Sequence, residues 1–196
     1  MRLNDPLTTE IEFGDVIYPL DLSFDNVLDM FDVMKDNTLA YFERIEIALD
    51  LLIGENDLPI EEQLLLFSQI YIDYIKIGKQ VKPMTDLKGN PMRRSKVSSE
   101  ETNQEDPLID IDQDAKYIYA SFKQIGINLF EEQGKMSWEE FQAILESLPE
   151  TTIMARIIKI RSWKPSKGTS NEEREQMKEL QEHYQLNFNG GRILDG

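Results

Sequence analysis

Residues 114–163 read DAKYIYASFKQIGINLFEEQGKMSWEEFQAILESLPETTIMARIIKIRSW, and this stretch decides the fold. Aromatic and apolar residues recur in it at helical spacing, which predicts a run of short helices. The first covers 114–125. The second opens at Ser137-Trp138-Glu139-Glu140, a capping box in which the Ser and the Glu satisfy each other's free backbone N–H groups. Phe141, Leu145 and Leu148 fall on its inward face. A third helix covers 151–162. The aromatic set Tyr117, Tyr119, Phe122, Trp138 and Phe141 has two readings, as core or as interface. Tyr117 and Tyr119 stand two apart and cannot share one helix face. One of them is therefore expected at the surface or at an interface, where Tyr and Trp are favoured because they bury much area behind a polar tip.

Just upstream lies Asp110-Ile111-Asp112-Gln113-Asp114. Its spacing matches the opening of an EF-hand calcium loop, but the sixth position is Ala115, where glycine makes the turn. The twelfth is Ser121, where a bidentate glutamate is needed. The better reading is N-capping, with carboxylates accepting from the free N–H groups of the helix start. Residues 80–109 carry Lys82-Pro83, Gly89-Asn90-Pro91, the basic Arg93-Arg94-Ser95-Lys96 and a polar run, without periodicity, and predict a long loop.

Nearer the start, Ile11 and Phe13 alternate with polar residues, Gly14-Asp15 makes a turn, and Val16 to Leu22 returns, giving a β-hairpin. Pro19 places the return strand at an edge or bends it. A helix then runs from Ser23 or Phe24 to about Asp36. It carries Val27, Phe31 and Met34 on one face and Asp25, Asp29, Asp32 and Asp36 on the other, a solvated acidic stripe. A second helix covers about 39–53 and stops at Gly54. A third follows Asp57 and Pro59 and runs to about Gly78. Ile60, Leu64, Phe67, Tyr71 and Tyr74 make one apolar face, Leu66, Ile70 and Ile77 a second, Leu65 and Ile72 a third. A helix apolar nearly all round is buried nearly all round: either it is the central helix, or part of it faces another chain. At the far end, Ser170-Asn171-Glu172-Glu173 caps a polar helix to about Tyr184, with Met177, Leu180 and Tyr184 as a thin apolar stripe, before a C-terminal tail.

Four segments follow from this: 1–79 with the hairpin and three helices, the loop 80–109, a helical half 110–186 of the same domain, and the tail 187–196. The fold class is mainly α, with a small N-terminal β-hairpin followed by a helical bundle. The 196 residues contain no cysteine, which removes disulfides, cysteine zinc sites and thiol catalysis. No apolar run is long enough to span a bilayer, and the start is not that of a signal peptide. The formal charge of −16 is uneven: residues 1–79 hold 17 acidic and 5 basic side chains. Such a field repels phosphate backbones, so nucleic acid is not an expected partner. His183 is the one histidine and has no nucleophile or phosphate loop beside it, so no enzyme, cofactor or metal is expected.

The chain resembles the tail assembly chaperones of long-tailed, siphovirus-type phages of Gram-positive bacteria. The resemblance rests on Asp114-Ala115-Lys116-Tyr117-Ile118-Tyr119-Ala120-Ser121-Phe122, Gly126-Ile127-Asn128-Leu129, Trp138 with Phe141, Leu145, Leu148 and Ile160-Arg161. It extends to Met1-Arg2-Leu3-Asn4-Asp5-Pro6-Leu7 and Leu22-Ser23-Phe24-Asp25-Asn26-Val27-Leu28. The chain departs at Ile125, where the family usually has an aromatic, and at Glu139, where a second Trp often follows the first. The resemblance implies a protein that binds and solubilises the tape measure protein in the host cytoplasm and is absent from the mature virion. It also implies many copies in homo-oligomers, and contact with the tail tube protein as a further option. The alternative is a structural tail or connector protein of the virion. The expected partner or self-association surface comprises Leu66, Ile70, Ile77, Tyr117, Tyr119 and Trp138.

Overall fold

The computed structural model describes residues 7–76 and 108–187. Strand β1 (Glu10–Phe13) pairs antiparallel with β2 (Val16–Pro19), with Phe13 opposite Val16. Gly14 takes φ +61° in the turn, a conformation that costs glycine little. The two strands form the whole sheet, so Pro19 sits on an edge where its missing N–H is tolerated. The hairpin is tied down by buried Ile11 and Leu20, and by Asp21 N donating to Leu52 O at 2.8 Å.

Three helices follow: α1 (Phe24–Lys35), α2 (Tyr41–Ile53) and α3 (Ile60–Ile70). Helix α1 buries Phe24, Val27 and Met30, while Phe31 and Met34, expected as its inner face, are half-buried at its flank. Asp29, Asp32 and Asp36 are exposed as expected of an acidic stripe. Asp25 departs from it: it is half-buried and accepts from Gly134 N at 2.9 Å, tying α1 to the loop before α5. Helix α2 begins where the Glu43 carboxylate accepts from Ala40 N at 2.7 Å and stops at Gly54, φ +81°. Helix α3 starts with Pro59 at the cap, whose carbonyl takes the N–H groups of Glu62 and Gln63.

The helix expected to run unbroken to Gly78 changes character at Tyr71. Residues Tyr71–Ile75 form a π-helical turn, closed by Lys76 N donating to Tyr71 O at 2.8 Å. A continued α-helix would carry Ile75 about 140° round from Ile70. The wider turn brings it back onto the buried side, and it is fully buried. The α-helical register that placed Ile70 and Ile77 on one face is therefore broken between them. Ile77 lies outside the described residues, as does nearly all of the expected 80–109 loop with its Arg93-Arg94 cluster.

The second half holds α4 (Ala115–Gln124), α5 (Trp138–Glu146), α6 (Ile153–Arg161) and α7 (Asn171–Tyr184). Ser137 Oγ accepts from Glu140 N and Ser170 Oγ from Glu173 N, both at 3.1 Å, which is the serine half of each expected capping box. Asp114 does not cap. It sits at the head of α4, but its carboxylate turns inward and is 1% exposed. There it forms a two-pronged pair with Arg161: Nη1 to Oδ2 at 2.6 Å, Nη2 to Oδ1 at 2.8 Å. Asp110 Oδ1 accepts from Asp112 N and Gln113 N in the turn that leads into α4. Arg161 also donates to Leu108 O and Tyr184 O, so one guanidinium joins the entry to α4, the end of α6 and the end of α7.

The two halves share one core. Helices α1 and α5 start side by side, with Trp138 N donating to Leu22 O at 2.7 Å and Phe24 N to Met136 O at 3.0 Å. Behind this seam, Phe141 stacks on Phe24, Phe122 and Trp138, and Trp138 meets Phe31 edge-on. The Trp138 indole N–H donates to Ile75 O at 3.0 Å, where the π turn ends. Buried Ser121 links α4 to α6, accepting from Met154 N at 3.0 Å. The packing order thus runs α3, α2, α1, α5, α4, α6, α7. Among the described residues the fold is mainly helical with an N-terminal hairpin, as expected.

Candidate interaction surface

Among the described residues no group of three His, Asp or Glu side chains is placed to hold a metal ion. His183 is exposed and lies edge-on against Tyr184. Asp36 is the carboxyl held below its usual range: the Thr38 hydroxyl at 2.7 Å, then the Thr38 N–H at 2.8 Å, donate to its Oδ1. That is a helix-terminal turn, not a reactive group. What the surface offers instead is apolar.

Three of the six expected contact residues are core. Leu66 and Ile70 are fully buried and Trp138 is 1% exposed, so none can meet a partner without unfolding its surroundings. The reason is the phase of α3, whose buried stripe is Gln63, Leu66, Phe67 and Ile70. Tyr117 and Tyr119 are both half-buried, each against its own aromatic neighbour. Tyr117 meets Tyr184 edge-on at 5.8 Å, with Lys116 Nζ over its ring. Tyr119 packs on Phe130 at 5.0 Å, and its hydroxyl donates to Asn128.

The surplus apolar surface lies elsewhere. Leu65 is 64% exposed and Ile72 54%, seven residues apart along the outer side of α3 and its π turn, with Ile60 partly open on the same helix. Helix α3 is therefore not a central helix: it buries one stripe and leaves the third apolar face open. Phe130, at 69%, is the most exposed of the large hydrophobic residues among those described. The signal for Leu65 is present in the sequence. Its neighbours three and four away are Glu61, Glu62, Ser68 and Gln69, so it is flanked by polar side chains on the outer side of α3. Phe130 has no such signal, because it lies in the irregular stretch after α4.

Residues 3–186 match the model of the family described as bacteriophage Gp15 protein. The chain belongs to that family. The family match spans both described halves and the segment between them, in agreement with the single core. No curated protein and no solved structure matches the chain. Among the described residues no helix is long and apolar enough to cross a membrane.

Proposed function

We propose that this phage protein is a tail assembly chaperone that binds and solubilises the tape measure protein. The observation that carries this reading is the open apolar stripe of Leu65 and Ile72 on an otherwise acidic helical surface. A coat for a long apolar helical client needs apolar contact on one side and charge toward water on the other. An amphipathic client helix laid along such a stripe is a common recognition mode. The membership of a bacteriophage family supports the phage context, and the resemblance in residues 114–163 supports the chaperone role.

In this reading binding is the activity and no chemistry is performed. The protein acts in the host cytoplasm in many copies, contacts its own kind and the client, with the tail tube protein as a further partner, and is absent from the finished virion. Co-expression with the tape measure protein tests it. The client should be insoluble alone and soluble with this chain. A structural tail or connector protein would instead be found in mature particles at a fixed small number of copies, and finding it there would displace the chaperone reading.

A further inference from the structure

The outer face of α2 carries Glu43, Glu46, Ile47 and Asp50 at positions i, i+3, i+4 and i+7, opposite its buried side. Ile47 is 39% exposed in the middle of the three carboxylates. Residues 41–75 hold eight acidic side chains and one basic one. Residues 153–167 reverse this, with five basic side chains and no acidic one in a chain of charge −16. Arg161 is consumed by Asp114, while Arg156, which donates to Thr151 O and Thr152 O, and Lys159 are exposed on α6, three residues apart. Trp163, half-exposed, stands just beyond them and outside the core cluster. Each face is thus a charged row about one to two helical turns long with an apolar residue set into it, and the charges are opposite.

We propose that these two faces meet between copies of this chain, the outer side of α2 on one molecule against the outer side of α6 on the next. They do not meet within one molecule, because α2 packs on α1 and α3 while α6 packs on α4 and α7. A contact between two different faces is heterologous and repeats from copy to copy, giving a ring or an open array. This rests on the multi-copy reading above but not on the client, so its test contains no client. Two copies repel through their net charge. At about 0.15 M salt the Debye length of about 8 Å screens that repulsion while sparing pairs in contact; at about 1 M, about 3 Å, the pairs weaken too.

Among the described residues the side chains of Glu46 and Lys159 make no hydrogen bond or ion pair and both are exposed, so reversing either leaves the fold intact. The test is sedimentation of the full chain at about 0.15 M salt. The wild type self-associates. Glu46→Lys sets a cation against the basic row of the next copy and Lys159→Glu an anion against the acidic row, and each weakens association about tenfold, since like charges are then juxtaposed at the reversed position. An equimolar mixture of the two variants restores association, because every contact between unlike variants is again of opposite sign. About 1 M salt weakens the wild-type assembly. A wild type that stays monomeric, variants that associate as it does, or a mixture no better than its components would each overturn the proposal.

Discussion

Replacing Arg161 with Met tests the internal architecture most severely. The Asp114 side chain is 1% exposed and that of Arg161 9%, so solvent screens the pair little. Removing the guanidinium strands a buried carboxylate, which costs about 3–5 kcal/mol. Against a usual domain stability of about 5–15 kcal/mol, that is a large fraction. The double variant Asp114→Leu/Arg161→Met removes the stranded charge as well. What then remains is the loss of the donors to Leu108 O and Tyr184 O, which the single variant loses too, and of the acceptor for Asp110 N, about 1 kcal/mol each, so about 3 kcal/mol in all. The double variant should therefore be more stable than the single one. Urea denaturation followed by far-ultraviolet circular dichroism and by tryptophan fluorescence measures both. A single-variant cost under about 1 kcal/mol, or a double variant less stable than Arg161→Met, would refute the assignment of this pair as the buried tie between α4, α6 and α7.

Adjacent residues on α3 should respond in opposite ways: Leu66→Ala loses about 2–5 kcal/mol as a core truncation, while Leu65→Ala stays within about 0.5 kcal/mol. Similar denaturation midpoints for the two would mean that the buried stripe of α3 has been assigned to the wrong side. Trp138→Phe leaves Ile75 O without its donor and should cost about 1–3 kcal/mol, read by thermal melting. Thr38→Val removes the hydroxyl that holds the Asp36 carboxyl below its usual range, and carboxyl NMR titration should show its pKa rising. Because the folded value is the lowered one, the Asp36–Thr38 contribution is present above the ordinary carboxylate range and is lost as pH falls through the folded pKa. The variant keeps the N–H of position 38 and should show a reduced part of that acid sensitivity.

The helices after residue 108 were legible because capping boxes are local chemistry. Ser137 and Ser170 each need only the residue three further on. The hairpin was legible for the same reason, from one glycine and a two-residue period. Two features were not local. Asp114 looks like a capping residue until Arg161, 47 positions away, is brought to it by the packing of α6 on α4. The π turn at Tyr71–Ile75 has no mark in the sequence: it is selected by what Ile75 gains in burial and by the Trp138 indole that caps its carbonyl. The side that α3 buries was not legible locally either. An unbroken helical register grouped Leu66, Ile70 and Ile77 as one spare face, whereas Leu66 and Ile70 complete the core and Leu65 is left outside.

The central claim, that apolar helix surface binds the tape measure protein, is tested most directly by capturing the co-expressed pair and washing it in about 1 M salt. At that ionic strength the Debye length is about 3 Å, and charge contacts weaken far more than apolar burial. The account predicts that the client is retained. It also predicts that Leu65→Asp, folded by circular dichroism, binds it about tenfold more weakly, the loss matching burial of roughly one leucine side chain. Complete release of the client at about 1 M salt, with Leu65→Asp binding as well as the wild type, would contradict it.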